Sequence, residues 1–296
     1  MGRPLLIVAA VLAVALAGCA TPVRPIETGV IEQTTPDGPV RGIWARIRVD
    51  HPAVEIVVTG RRPPAETNPA GTEARLLTVE DWAEAERLVL AVNANFFGGT
   101  EVLAAGARDP GWYPDRPVDL RGLSLTDGVV VSPPRSVGGR GDPAVVVTRD
   151  GRARAGYLGP EDLRGAFDGV AGIGPSDNGR EPGDLLVTAG RNTGATARVA
   201  PKVRHPRTAA GVMADGRTLI LLVVDGRQPE HSIGVTLPEL ADLMIGLGAD
   251  AAVNLDGGGS STFWHRRPDG SVETNQPSGG RWRPVGNHLG VRLKKR

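Results

Sequence analysis

Residues 207–261 read RTAAGVMADGRTLILLVVDGRQPEHSIGVTLPELADLMIGLGADAAVNLDGGGSS, and the fold class follows from this stretch. Leu219 to Val224 make an unbroken apolar run, the pattern of a buried strand. It ends on Asp225-Gly226-Arg227, a tripeptide that also suits a hairpin turn. The polar segment that follows does not read as a return strand, so strand, loop and helix is the better order. Thr236-Leu237-Pro238-Glu239 has capping-box spacing with Pro in the first turn, and Gly248 stops the helix begun at Leu237. Leu240, Leu243, Met244 and Leu247 lie on one face of that helix, as core packing requires. AAVNLD is a second strand, GGGSS a bend, and TFWH a third strand.

Outward from this block the pattern repeats in simpler form. Asp-Gly pairs at 127–128, 150–151 and 215–216 sit between apolar runs and favour tight hairpins. Val40–Val49 and Ala53–Thr59 read as strands around an Asp50-His51-Pro52 turn. Thr78 is suited to cap a short helix, and LVLAVNANFF (88–97) is a buried strand. Residues 60–77 and 98–120 read as long loops. Together with 41 Gly and 25 Pro, this predicts one α+β domain over residues 40–296, a many-stranded mixed β-sheet with a few flanking helices.

The chain opens differently. Arg3 precedes an apolar run from Leu5 to Ala17, too short for a spanning helix and typical of a secretory signal. Leu16-Ala17-Gly18-Cys19 is similar to a bacterial lipobox. Residues 1–18 are then a removed signal, Cys19 the lipidated first residue, and the Pro- and Thr-rich residues 20–39 a tether. The expected location is the bacterial cell envelope, anchored by acyl chains. An ordinary signal peptide with an incidental Cys is the alternative. A single Cys excludes a disulfide framework and a Cys-ligated zinc site. With 34 Lys+Arg against 33 Asp+Glu, nothing calls for nucleic acid.

Asp256-Gly257-Gly258-Gly259-Ser260-Ser261 is the most unusual local feature. Three glycines allow close backbone approach and aim several N–H groups at one concavity, while the serines add hydroxyls. No Gly-Lys-Ser/Thr follows, so this is not a nucleotide P-loop. A plain flexible turn is the bland alternative. Asp225 and Asp256 both end buried strands and would lie side by side if those strands are neighbours. Arg207, before another apolar segment, has the planar fork that fits phosphate, though an exposed Arg is usually just solvated. Asn93 and Asn95 need hydrogen-bond partners if buried. The five histidines show no metal-ligand spacing, and no GxSxG elbow is present.

The run from Arg207 to Ser261, with RTA, VVDGRQ, helix and NLDGGGSST in order, resembles the phosphodiester glycosidase family. The likeness extends from AVNANFF to NHLGV, and Asn275, Pro277 and Arg283-Pro284-Val285 resemble the family's C-terminal loop. The family often has Asn-Gly-Gly-Phe-Phe where this chain has Asn93-Ala94-Asn95-Phe96-Phe97, so only Asn93 carries over. The resemblance implies hydrolysis of a sugar-1-phosphodiester, with a sugar phosphate or glycopolymer as substrate. Asp256 and then Asp225 are the implied carboxylates, and Arg207 and Arg227 hold the phosphate with the N–H groups of Gly257, Gly258, Gly259 and Ser260. Asn93 and Ser261 would orient hydroxyls, and Thr208 and Arg283 join the substrate contacts. No cofactor is required; a divalent ion (Ca or Mg) at Asp225 and Asp256 stays open. So do a non-catalytic sugar-phosphate-binding lipoprotein and a phosphodiesterase that breaks P–O instead of C–O.

Overall fold

The computed structural model describes residues 24–60, 72–100 and 111–294; the signal segment, Cys19 and residues 20–23 lie outside them. Among the described residues two α-helices, α1 (Val79–Ala85) and α2 (Leu237–Gly246), stand against four sheets, the α+β arrangement expected. The central sheet has seven strands in the order Ile26–Thr35, Gly38–Arg48, Thr218–Val224, Arg207–Val212, Ala251–Asn254, Leu185–Thr188 and Arg191–Asn192. Two five-stranded sheets and a three-stranded one complete the domain.

Mixed pairing was expected, but every ladder among the described residues is antiparallel. The reason lies in the one helical crossover of the central sheet. It leads from Thr218–Val224 through α2 to Ala251–Asn254, two strands that run the same way. Arg207–Val212 is interposed and pairs with both, so no parallel ladder forms.

The apolar run is buried on both faces. Leu219, Leu221 and Val223 join a core with Ile43, Ile47, Val92 and Phe263, whereas Ile220, Leu222 and Val224 meet Leu237, Leu240 and Met244 of α2. Each such fully buried side chain contributes about 1.5–3 kcal/mol. Helix α2 is fastened as its sequence predicts: the Glu239 amide donates to Thr236 Oγ1, and the Thr236 amide to Glu239 Oε2 at 2.8 Å. Gly248, at φ 92°, takes the left-handed turn that ends the helix. Asp127 and Gly128, at φ 50° and 78°, close Ser124–Thr126 onto Val129–Ser132 as a primed hairpin requires.

Two expectations need correction. Residues 26–39 are not a tether: Ile26–Thr35 pairs along its length with Gly38–Arg48, from Ile26 opposite Ile47 to Thr35 opposite Gly38. The Trp44 indole sits over Gly29, where a Cβ would clash with it. The segment expected as a loop over 98–120 carries strands at its ends, with Phe97–Gly99 paired to Pro117–Leu120 and Ala74–Arg75 on the other side.

Candidate active site

Register brings the chemistry to one end of the central sheet. Arg207 faces Val224 and Ala209 faces Asn254, so Asp225, Arg207 and Asp256 leave the sheet together. The condition for the two aspartates to lie side by side, neighbouring strands, is not met, because Arg207–Val212 runs between them. Two strand spacings put their backbones roughly 10 Å apart.

Asp225 is 4% exposed, and its carboxylate is held from three sides. Oδ1 accepts from Asn275 Nδ2 at 2.8 Å and from the Gln276 amide at 3.1 Å; Oδ2 pairs with His231 Nε2 at 2.8 Å. Its own carbonyl accepts from Ser232 Oγ, whose oxygen in turn receives the Arg41 amide. Asn275 also donates to the carbonyl of Ser261, which ties the Asp225 corner to the glycine bend. A pocket of about 420 Å³ opens here, walled by Asp225, His231, Asn275 and Trp282, with Val30 to Glu32 of the N-terminal strand on its far side.

Trp282 is also a wall of a second pocket, of about 350 Å³, lined by Arg227, Arg281, Arg283, Trp112 and Gly259. The two cavities therefore share Trp282 as a wall residue. Arg227 has φ 62°, a left-handed conformation costly for a non-glycine residue and common where a site dictates the backbone. Its guanidinium donates to His205 Nδ1 at 3.3 Å from Nη2 and 3.4 Å from Nε. Burial, Arg207 and Arg227 lower the pKa of His205, which keeps the ring neutral and able to accept. The bend packs against both arginines. A Cβ on Gly258 would stand 3.0 Å from Arg227 Nη2, and one on Gly259 would overlap the Arg283 guanidinium. The backbone also favours glycine at 258, where φ is 62°.

The bend does not form the open nest of N–H groups predicted from its glycines. It closes on itself as a 3₁₀ turn over Gly258–Ser260. The amide of Gly257 donates to Asp256 Oδ1, that of Gly258 to the Pro206 carbonyl, and those of Ser260 and Ser261 to Gly257 and Gly258. The Gly259 amide is left beside the second pocket. Ser260 and Ser261 are likewise buried rather than on a cavity wall. Burial raises the Asp256 carboxyl to about 6, against the opposing pull of the Ser260 hydroxyl, Arg283 and the Gly257 amide.

Three more predicted contacts turn out to build the site instead of facing it. Arg207 is 2% exposed, and its guanidinium donates to the carbonyls of Val235, Val199, Ala200 and Val203. Burial brings its pKa down to about 10, so it remains a cation spent on backbone, not on phosphate. Asn93 is fully buried: Nδ2 donates to the Asp256 carbonyl at 2.5 Å, and Oδ1 accepts from Thr208 Oγ1 at 2.8 Å and the Thr262 amide at 3.1 Å. Asn93 and Thr208 thus pin the bend to two sheets at once. Asn95 does similar work nearby, donating to the Arg121 and Leu123 carbonyls and accepting from the Ala171 amide.

Sequence reasoning missed His231, His205, Trp112, Trp282 and Arg281, and gave Asn275 no role. Screening the histidines for metal spacing hid the two that matter. One follows Asp225 by six residues on the same loop, and the other directly precedes Pro206-Arg207. Among the described residues no three or more His, Cys, Asp and Glu side chains gather as a metal ion would need.

A family model described as phosphodiester glycosidase matches residues 86–292. The SPbeta prophage-derived uncharacterized protein YomE of Bacillus subtilis (strain 168) is 31% identical over 189 residues, covering 62% of this chain and 25% of that protein. The chain thus spans about a quarter of the length of the curated relative it matches. Among solved structures, the zebrafish N-acetylglucosamine-1-phosphodiester alpha-N-acetylglucosaminidase catalytic domain, auto-inhibited by its pro-peptide, superposes with a TM-score of 0.63 at 20% identity, over 93% of this chain and 86% of that one. A hypothetical protein from Synechocystis gives 0.56 at 16% identity over 92% and 64% of the two chains. A putative exported protein from Burkholderia pseudomallei gives 0.55 at 19% over 86% and 74%. These structural likenesses establish the fold.

Proposed function

This chain belongs to the phosphodiester glycosidase family, and on that premise we propose that it hydrolyses the bond between a sugar's anomeric carbon and a phosphodiester oxygen. The observation that carries the proposal is the adjacency of two unlike cavities. One holds a carboxylate–imidazole pair and the other three guanidinium groups, with Trp282 between them. A sugar phosphodiester is unlike at its two ends in the same sense.

In this reading the sugar ring occupies the Asp225 pocket and the phosphate lies against Arg227 and Arg283, close to the Gly259 amide. Water attacks the anomeric carbon and gives a proton to the Asp225–His231 pair. The C–O bond to phosphate breaks and its electron pair leaves with the phosphate oxygen. Asn275 and the Gln276 amide hold Asp225 in one orientation, and Asp225 in turn orients the imidazole. The departing phosphate is already a weak base, so the arginines do more by neutralising it than an acid would by protonating it. Asp256, at the foot of the bend, adds a carboxyl that takes up a proton in mildly acidic solution.

The direct test is hydrolysis of N-acetylglucosamine-1-phosphodiesters in oxygen-18 water. Label in the sugar supports the proposal; label in the phosphate would make the protein a phosphodiesterase. Binding without turnover would make it a sugar-phosphate-binding lipoprotein. The cellular setting, an envelope lipoprotein acting on phosphodiester-linked glycopolymer, rests on the LAGC sequence at residues 16–19. Metabolic labelling with a fatty acid that fails on Cys19→Ser, but succeeds on the parent chain, tests it.

A further inference from the structure

The reading above employs two of the three guanidinium groups in the second pocket. Arg281 is the third. It is exposed, and among the described residues it has neither a hydrogen bond nor an ion pair. Among the described residues no Asp or Glu lines that pocket. Among the described residues the Arg227 guanidinium hydrogen-bonds only to the neutral His205, and Arg283 acts on the carboxyl of Asp256. A Cβ on Gly258 would meet the Arg227 guanidinium and one on Gly259 that of Arg283, so both cationic heads flank the same bend before Arg281 is added.

Three like charges around one cavity repel, and only a ligand with matching charge repays their assembly. A single phosphodiester carries one negative charge, which one guanidinium fork satisfies in bidentate fashion. The cavity is also larger than one phosphate needs. At about 350 Å³ it falls at the small end of the range for whole small-molecule sites, and its indole walls, Trp112 and Trp282, suit a non-phosphate portion of the same ligand.

We infer that Arg281 forms a subsite for a second phosphate on the leaving half of the substrate, so that the preferred substrate is a sugar-1-phosphodiester whose aglycone bears another phosphate. This rests on the hydrolase reading, and its test separates the two. The second phosphate reaches the subsite either through a polyol spacer or fused as a diphosphate, and both forms are assayed.

The full-length protein is given three substrates: N-acetylglucosamine-1-phosphomethyl ester, the same sugar linked through phosphate to glycerol 3-phosphate, and its methyl diphosphate. The expected result is a kcat/KM at least tenfold higher for one of the two substrates that carry a second phosphate, with a steeper fall in salt. Arg281→Ala should lower that value at least fivefold more than it lowers the value for the methyl ester. Equal kcat/KM for all three, or an equal loss on all three in Arg281→Ala, overturns the inference while the hydrolase reading stands. If none is cleaved the hydrolase reading fails, and tryptophan fluorescence titration decides the subsite alone. Glycerol 1,3-bisphosphate should then bind at least tenfold tighter than glycerol phosphate, and Arg281→Ala should abolish the difference; equal affinities overturn it.

Discussion

Asn93→Ala distinguishes a residue that binds substrate from one that builds the site. The side chain is fully buried and makes three hydrogen bonds, to the Asp256 carbonyl, the Thr208 hydroxyl and the Thr262 amide. Alanine leaves one acceptor and two donors without partners in the interior. At about 1–3 kcal/mol for each orphaned group, and with the Thr208 hydroxyl free to rotate, the loss is about 3–5 kcal/mol. That is a large part of the roughly 5–15 kcal/mol by which a domain is usually stable. Urea denaturation followed by tryptophan fluorescence measures it as a lower midpoint at unchanged slope. Asn93→Asp sharpens the test. Its carboxylate cannot donate to the Asp256 carbonyl, but its protonated form can, so this variant should regain stability as pH falls. An Asn93→Ala protein with wild-type unfolding and collapsed turnover would refute the argument and return Asn93 to the substrate.

Other expectations concern the acids, the arginines and the bend. Asp225→Asn should fold normally and lose about 100- to 10,000-fold in kcat, the usual weight of a proton-transfer group, and His231→Gln should lose less; steady-state assays decide. Asp256→Asn should fold but lose most turnover, and near wild-type rates would remove Asp256 from the mechanism. Arg207→Lys should lower the melting temperature without a selective effect on KM, since one ammonium cannot serve four carbonyls spread around a planar fork. Burial raises Asp168 from 3.8 to about 7, so the fold favours its neutral form. Its stabilising contribution is complete below about pH 4, declines as pH rises and is gone above about 7. Asp168→Asn keeps an acceptor for the Asp127 amide and should flatten that slope, with a higher melting temperature than the parent at pH 8. Gly259→Ala should displace Arg283 and raise KM for phosphodiesters more than for neutral aryl glycosides.

What the sequence revealed, and what it hid, divides along the range of the interactions. Helix α2 was legible to its caps because Thr236, Pro238, Glu239 and Gly248 act within a few residues of one another. The burial of Leu219 to Val224 on both faces was legible as an unbroken run. Strand pairing was not, because it depends on Arg207–Val212 entering between two strands that a helix connects. Ile26–Thr35 escaped notice for a local reason. As an edge strand it buries little, and its Thr and Glu residues look like linker. Arg207 was misassigned because its partners come from residues 199–203 and 235, which no spacing rule ties to it. Asp225 and Asp256 were legible as acidic strand ends, but the strand that separates them was not, and the imidazole beside Asp225 and the tryptophan that lines both cavities depend on loops that meet only in three dimensions.

The N-terminal strand has a practical consequence for anyone cutting this chain into pieces. A fragment begun at residue 40, where the sequence alone places the start of the domain, would lose Val30 to Glu32 from the cavity of Asp225. It would also bare the backbone edge of residues 40–48, a sticky template for aggregation. The smallest soluble unit worth expressing therefore begins upstream of Ile26, and an inactive shorter piece would report a missing wall, not a missing enzyme.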